Sequence, residues 1–392
     1  MKFILLLFAL IFFAAGCHAQ SSDNLPFKIE VIADYDEPWA MTFLPDGKSY
    51  LVTDKKGKLL LTSPSAGDKK EVRGVPKVDY GGQGGLGDVV LSPDFAKTQT
   101  IYLSWIEAGD KGTRGAVVGK ARLGDIGSGL WVPVLEDLRI IWRQSPKVSG
   151  RGHYSHRMAF SPDGKYLFIA SGERQKFDPA QDMTTNLGKI IRLLPDGTTP
   201  EDNPFVEDAY TITRMHVLRP GDAQRAEILR QIWSLGHRNI LGLAFDDKGQ
   251  LWNQEMGPQG GDELNLVKPK ANYGYPKVSN GNHYDGRDIP DHAPGDGFEA
   301  PKVFWNPVIS PSGLMYYTGN MFPEWKGSMF IGGLSSEALV RVKINGETAT
   351  KADQFPMNAR IREVEQAPDG AIWILEDGDG ESQGRLLRLS PE

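Results

Sequence analysis

Met158-Ala159-Phe160-Ser161-Pro162-Asp163-Gly164, followed after Lys165 by Tyr166-Leu167-Phe168-Ile169-Ala170, is the stretch on which the reading of the fold turns. An apolar run enters Pro-Asp-Gly and a second apolar run leaves it. Proline presets φ for a turn and glycine accepts positive φ, so the stretch reads as a β-hairpin. The pattern recurs upstream as Met41-Thr42-Phe43-Leu44-Pro45-Asp46-Gly47 before Ser49-Tyr50-Leu51-Val52, and as Val89-Val90-Leu91-Ser92-Pro93-Asp94-Phe95 before Ile101-Tyr102-Leu103-Ser104-Trp105. Downstream it returns as Leu243-Ala244-Phe245-Asp246-Asp247-Lys248-Gly249 before Leu251-Trp252, and as Val364-Glu365-Gln366-Ala367-Pro368-Asp369-Gly370 before Ile372-Trp373-Ile374-Leu375. A degenerate copy runs from Leu314-Met315-Tyr316-Tyr317 to Gly327-Ser328-Met329-Phe330-Ile331.

Six hairpins about 45 to 85 residues apart predict an all-β chain folded as a six-bladed β-propeller, in which a four-stranded sheet repeats around an axis. A two-sheet sandwich is the rival, but sandwiches seldom repeat one hairpin at this period. The uneven spacing predicts long loops on one face. Ala223 to Leu235 has helical composition after Pro220-Gly221, and its pattern does not separate a short helix from a strand. Residues 276–300, rich in Gly, Asp, Asn and Pro, read as a long surface loop.

The N-terminus carries Lys2, an apolar run from Phe3 to Ala15, then Gly16-Cys17 and a polar stretch, the order of an export signal. The run falls short of the roughly 20 residues that span a bilayer. Ala14-Ala15-Gly16-Cys17 resembles a bacterial lipobox, which predicts a lipid anchor on Cys17; cleavage at Cys17-His18-Ala19 by ordinary signal peptidase is the alternative. The expected organisation is a leader over 1–17, a short linker over 18–27 and one propeller domain over 28–392, with the protein exported to the periplasm. Cys17 is the sole cysteine, so the mature domain has no thiol for a disulfide, a thiolate metal site or a cysteine nucleophile. A net charge of −6 argues against a nucleic-acid partner.

Polar residues set in the glycine-rich segments between hairpins are the candidates for chemistry. Gly81-Gly82-Gln83-Gly84-Gly85-Leu86-Gly87-Asp88 lets backbone approach a ligand and offers the Gln83 amide. His153, in Gly152-His153-Tyr154-Ser155-His156-Arg157, is a candidate general base because imidazole titrates near neutrality; a structural histidine is the equal alternative. Arg238-Asn239 offers a fixed cation and an amide, while His237 reads as a packing residue. The carbonyls of Gly257 and Pro258 suit a hard cation, with a plain turn as the bland reading. Arg360 and Arg362, at strand period, point to one face within reach of one polyanion.

Together, from Pro38-Trp39-Ala40-Met41 to Asp369-Gly370-Ala371-Ile372-Trp373, these segments and their order resemble the soluble pyrroloquinoline quinone (PQQ) dependent glucose and aldose dehydrogenases. The resemblance implies a six-bladed propeller holding PQQ and calcium. It implies His153 as catalytic base, with Arg238 stabilising charge on the quinone. Gln83, Arg238, Asn239, Arg360 and Arg362 would then contact the cofactor, and Gly257 and Pro258 would bind calcium. The implied reaction is oxidation of the anomeric hydroxyl of a sugar to a lactone by hydride transfer to PQQ, with electrons passed to an external acceptor. Departures from the family are Gly152 before the base, Val308 after Pro307, and Leu334-Ser335-Ser336 where a lysine is expected, which predict weaker PQQ binding; His156 replaces a small residue. A calcium-dependent lactonase-like propeller and a non-catalytic binding propeller are the rival functions, and neither needs the paired arginines.

Overall fold

The computed structural model describes residues 25–62, 69–124, 132–214, 219–380 and 382–392. The leader and Cys17 lie outside them. No helix among the described residues is long and apolar enough to cross a membrane.

Six four-stranded antiparallel sheets follow one another along the chain. Blade 1 is Pro38–Phe43, Tyr50–Asp54, Lys58–Thr62 and Lys69–Glu71; blade 2 is Leu86–Leu91, Thr100–Ala108, Arg114–Gly124 and Val134–Arg143. Blade 3 comprises Ser155–Phe160, Leu167–Ser171, Lys189–Leu193 and Ile232–Leu235, and blade 4 Ile240–Phe245, Leu251–Glu255, Asp262–Leu266 and Val303–Trp305. Blade 5 is Pro311–Tyr316, Ser328–Gly333, Ala338–Asn345 and Thr348–Pro356. Blade 6 closes the ring: Ile361–Gln366, Ile372–Glu376 and Arg385–Ser390 are completed by the N-terminal strand Lys28–Asp34. Phe27, just before that strand, is already buried edge-on to Trp325 and Phe355, so the core takes hold of the chain within the expected linker.

Each predicted hairpin forms the first two strands of one blade. In the Pro-Asp-Gly turns the aspartate holds the bend: Asp46 Oδ1 accepts from the backbone N–H of Lys48 at 2.9 Å and of Ser49 at 2.8 Å, and Gly47 has φ +65°. The second strands of blades 1, 3, 4 and 6 are buried at every residue, sandwiched between neighbouring blades. Each large apolar side chain buried there contributes roughly 1.5–3 kcal/mol. The ambiguous segment is both of its alternatives in succession, helix Asp222–Gln231 and then the fourth strand of blade 3. A second helix, Val206–Thr213, packs against it and had no clear signal in the sequence.

The first strands of the six blades contact one another in a closed ring around the axis. Every one carries a register shift near its start, at 38/40, 86/89, 155/158, 240/242, 311/314 and 361/363. A bulge re-aims the side chains it interrupts. Here that places Trp39, His156, Leu241 and Arg362 around one cavity at the end of the axis where the first strands begin.

Candidate active site

The cavity measures about 200 Å³ and is also lined by Gln83, Lys55, Met256, Ser310 and Arg360. Beneath it Arg157 closes the axis. Its Nε donates to the Leu241 carbonyl at 2.8 Å, its Nη1 pairs with Asp88 and Glu363, and its guanidinium lies 3.9 Å from the Trp39 ring centre. One arginine thus ties blade 3 to blades 1, 2, 4 and 6.

His153 stands behind the cavity wall, 7% exposed, with φ +50°. Its backbone N–H donates to Gln83 Oε1 at 2.7 Å, so the two candidates meet although 70 residues separate them. Its Nδ1 donates to Glu173 Oε1. The other oxygen of Glu173 accepts the backbone N–H groups of Lys176 at 2.5 Å and Phe177 at 2.7 Å, which fixes the carboxylate. Burial pulls the His153 imidazole below its usual value, and the nearby Arg238 guanidinium adds to this against the pull of Glu173. Burial opposes ionisation of Glu173, but the His153 hydrogen bond and its backbone donors hold it low. The pair at neutral pH is therefore a carboxylate and a neutral imidazole, with the proton on Nδ1 and a lone pair on Nε2.

Arg238 is 5% exposed; its Nη1 donates to the Met256 carbonyl at 2.9 Å, its backbone N–H donates to Glu255 at 2.8 Å, and its Nε is buried without a partner. Asn239 is fully buried, its amide oxygen accepting from Ser155 Oγ at 3.3 Å, so it joins blades 3 and 4. His237 stacks on Tyr273 with ring centres 4.6 Å apart and bonds Ser234 at 2.8 Å, the packing role read from sequence. Gly257 and Pro258 are buried, and no hydrogen bond from the described residues reaches either carbonyl. Asp262 pins this turn by accepting from Gly257 N–H at 2.8 Å and from Ile309 and Ser310 N–H at 2.8 and 2.7 Å.

Arg360 and Arg362 both line the cavity, as their spacing predicts. They converge on one carboxylate: Arg360 Nη2 and Arg362 Nη2 lie 3.1 and 2.9 Å from Asp377 Oδ2. Burial alone would raise the Asp377 pKa, but the two guanidinium groups, Arg362 foremost, hold it low. Asp379 also lines the cavity and Glu37 pairs with Lys55, so the cations of this wall each have a carboxylate nearby.

The glycine run also makes room for the protein's own atoms. A Cβ at Gly85 would stand 2.1 Å from the Lys55 carbonyl, at Gly82 2.6 Å from that of Arg151, and at Gly87 1.9 Å from the His156 ring. These glycines admit protein atoms, and Gly82 and Gln83 of the same run also line the cavity. Glu173, Asp377 and Lys55 were missed by sequence reasoning. Lys55 brings a lysine to the cavity from blade 1, paired with Glu37 at 3.3 Å, whereas the Leu334-Ser335-Ser336 segment has none.

Comparison with known proteins places this arrangement among the propeller oxidoreductases that act on sugars. The chain belongs to the glucose/sorbosone dehydrogenase family, whose model matches residues 35–388. It is 39% identical over 371 residues to the aldose sugar dehydrogenase YliI of Escherichia coli K12, covering 93% of this chain and 92% of that one. The crystal structure of the soluble E. coli aldose sugar dehydrogenase in its apo-form superposes with a TM-score of 0.82 at 38% identity, over 93% of this chain and all of the other. The PQQ-bound aldose sugar dehydrogenase of Streptomyces coelicolor gives a TM-score of 0.71 at 28% identity, over 93% and 98% of the two chains.

Proposed function

We propose that the protein oxidises the anomeric hydroxyl of an aldose to a lactone with PQQ and calcium as cofactors, electrons passing on to an external acceptor. The observation that carries this reading is the His153–Glu173 pair beside the arginine-lined cavity. Glu173 fixes the tautomer in which Nε2 of His153 can take the proton of a substrate hydroxyl, and it stabilises the imidazolium that results.

The residues present fit both cofactors. Arg360, Arg362 and the unpartnered Nε of Arg238 suit a ligand bearing carboxylates and carbonyl oxygens. The carbonyls of Gly257 and Pro258, free of hydrogen bonds from the described residues, suit calcium, whose remaining ligands would come from the cofactor and water. PQQ, when bound, supplies the quinone carbon that accepts hydride. The protein's part is to bind and orient the sugar, remove its proton at His153 Nε2, and place Arg238 where negative charge develops.

Purified protein mixed with PQQ and calcium should bleach a redox dye on addition of aldoses. Tight PQQ binding with no dye reduction by any sugar or alcohol would leave a binding propeller. For the leader, we propose export and acylation of Cys17. Partition into a detergent phase should vanish on Cys17→Ser, and partition that persists sinks the anchor.

A further inference from the structure

His156 is used by neither the catalytic pair nor the arginine wall, yet it has the most elaborate seat in the cavity. Its ring stacks on Trp39 with centres 4.9 Å apart and planes 11° from parallel, and meets the edge of Tyr154 at 6.5 Å. Gly87 is glycine because the ring occupies the place of its Cβ. The residue is 2% exposed, and the space it borders is the cavity.

The tautomer follows from counting protons. His156 Nδ1 lies 2.7 Å from Ser104 Oγ, and Ser104 is fully buried. That Oγ already accepts the Asp88 backbone N–H at 2.8 Å. A serine hydroxyl has one proton to donate, and the acceptor within its reach is Nδ1. Donation in the opposite sense would leave the buried hydroxyl proton without an acceptor, which is costly. Ser104 therefore donates, Nδ1 accepts, and the ring proton sits on Nε2. Nε2 hydrogen-bonds to no atom of the described residues and is not among their buried unpartnered atoms, so it opens toward the cavity. Burial, and then the charges of Arg157 and Arg174, push the imidazole down to about 3, so the ring stays neutral.

We infer that His156 is a positioning residue that donates Nε2–H to an acceptor oxygen of the bound cofactor, either a quinone carbonyl or a carboxylate, through a hydrogen bond whose direction Ser104 sets. This rests on the PQQ reading and deepens it: the contact would offset those absent around Leu334-Ser335-Ser336. The sugar is the other acceptor within the same site, and the test separates the two.

Equilibrium titration of the purified protein with PQQ and calcium, without sugar, is compared between parent, His156→Phe and His156→Gln. Phenylalanine keeps the stack on Trp39 and loses the donor; glutamine keeps a donor. The Phe variant should bind PQQ about tenfold or more weakly, with the Gln variant within about threefold of the parent. A Phe variant within twofold of the parent overturns the inference alone, as does a normal PQQ affinity with a raised KM for sugar. A parent that binds no PQQ overturns the cofactor reading and this inference together. Selective ring-15N labelling should show His156 as the Nε2–H tautomer at pH 5–7 in the unliganded protein, and the Nδ1–H tautomer would overturn the proposal whatever the affinities.

Discussion

His153 and His156 stand three residues apart on the approach to blade 3, both with left-handed backbone, at φ +50° and +59°, and their surroundings are opposite. The Nδ1 of His153 faces a carboxylate and carries the ring proton; the Nδ1 of His156 faces a hydroxyl and accepts its hydrogen bond. The first ring is left with a lone pair on Nε2, the second with a proton there. On the proposed mechanism one motif thus yields a base and a donor, and the residue types in contact with Nδ1 decide which is which. Both rings are neutral because burial outweighs every other influence.

The comparison breaks most visibly at His153. His153→Ala should cut turnover of the reconstituted enzyme by about 10³-fold with PQQ affinity little changed, since a positioned base contributes roughly 10²–10⁴-fold. Turnover within tenfold of the parent removes His153 from the chemistry. Glu173→Gln probes the partner. The amide accepts from His153 but cannot also accept from Lys176 and Phe177 N–H as the carboxylate does, so the ring's orientation loosens and turnover should fall roughly 10- to 100-fold. In the parent, burial lowers the His153 pKa from its usual value near 6.5 and so extends the neutral form to more acidic pH. The acid limb of kcat should lie below that value, and loss of the Glu173 charge should move it lower still.

The repeats made the blades legible because Pro-Asp-Gly turns are local: the aspartate, the glycine and the bonds that hold the bend lie within a few residues. The site was legible only in part. Gln83, His153, Arg360 and Arg362 advertise themselves by residue type, but Glu173 and Asp377 are carboxylates whose partners come from other elements. A usable signal for the cavity did exist. Trp39, Gly87, His156, Leu241, Ser312 and Arg362 each stand two residues before the first residue of their repeat copy, the position each bulge turns toward the axis. Aligning the six copies with one another would have shown His156 as a cavity residue, with Gly87 as its counterpart in the neighbouring blade.

That pairing gives the third way to break the comparison. In Gly87→Ala the new methyl would sit 1.9 Å from Cε1 of His156, so the ring must leave Ser104 and Trp39 or the blades must part. Overpacking of this kind costs about 1–3 kcal/mol. Denaturant unfolding should register that loss when Gly87→Ala is added to the parent, and far less of it when Gly87→Ala is added to His156→Gly, where the ring is already gone. Equal losses on the two backgrounds would mean that the methyl is excluded by something other than the His156 ring.

The smallest effect sharpens the claim that His156 is neutral. Its imidazole is pushed down to about 3 in the fold against about 6.5 in the unfolded chain. Between those values the unfolded state binds a proton that the folded state refuses, so stability falls as the pH is lowered and is regained as it rises. One such proton contributes a slope of about 1.4 kcal/mol per pH unit. His156→Phe removes this proton and leaves every other titrating group in place, so its unfolding free energy should decline less steeply than the parent's between pH 6 and pH 4, by up to that amount per unit. Parallel curves would mean that the ring accepts its proton in place, as the cation of a second acid–base group, and the division of labour between the two histidines would then fail.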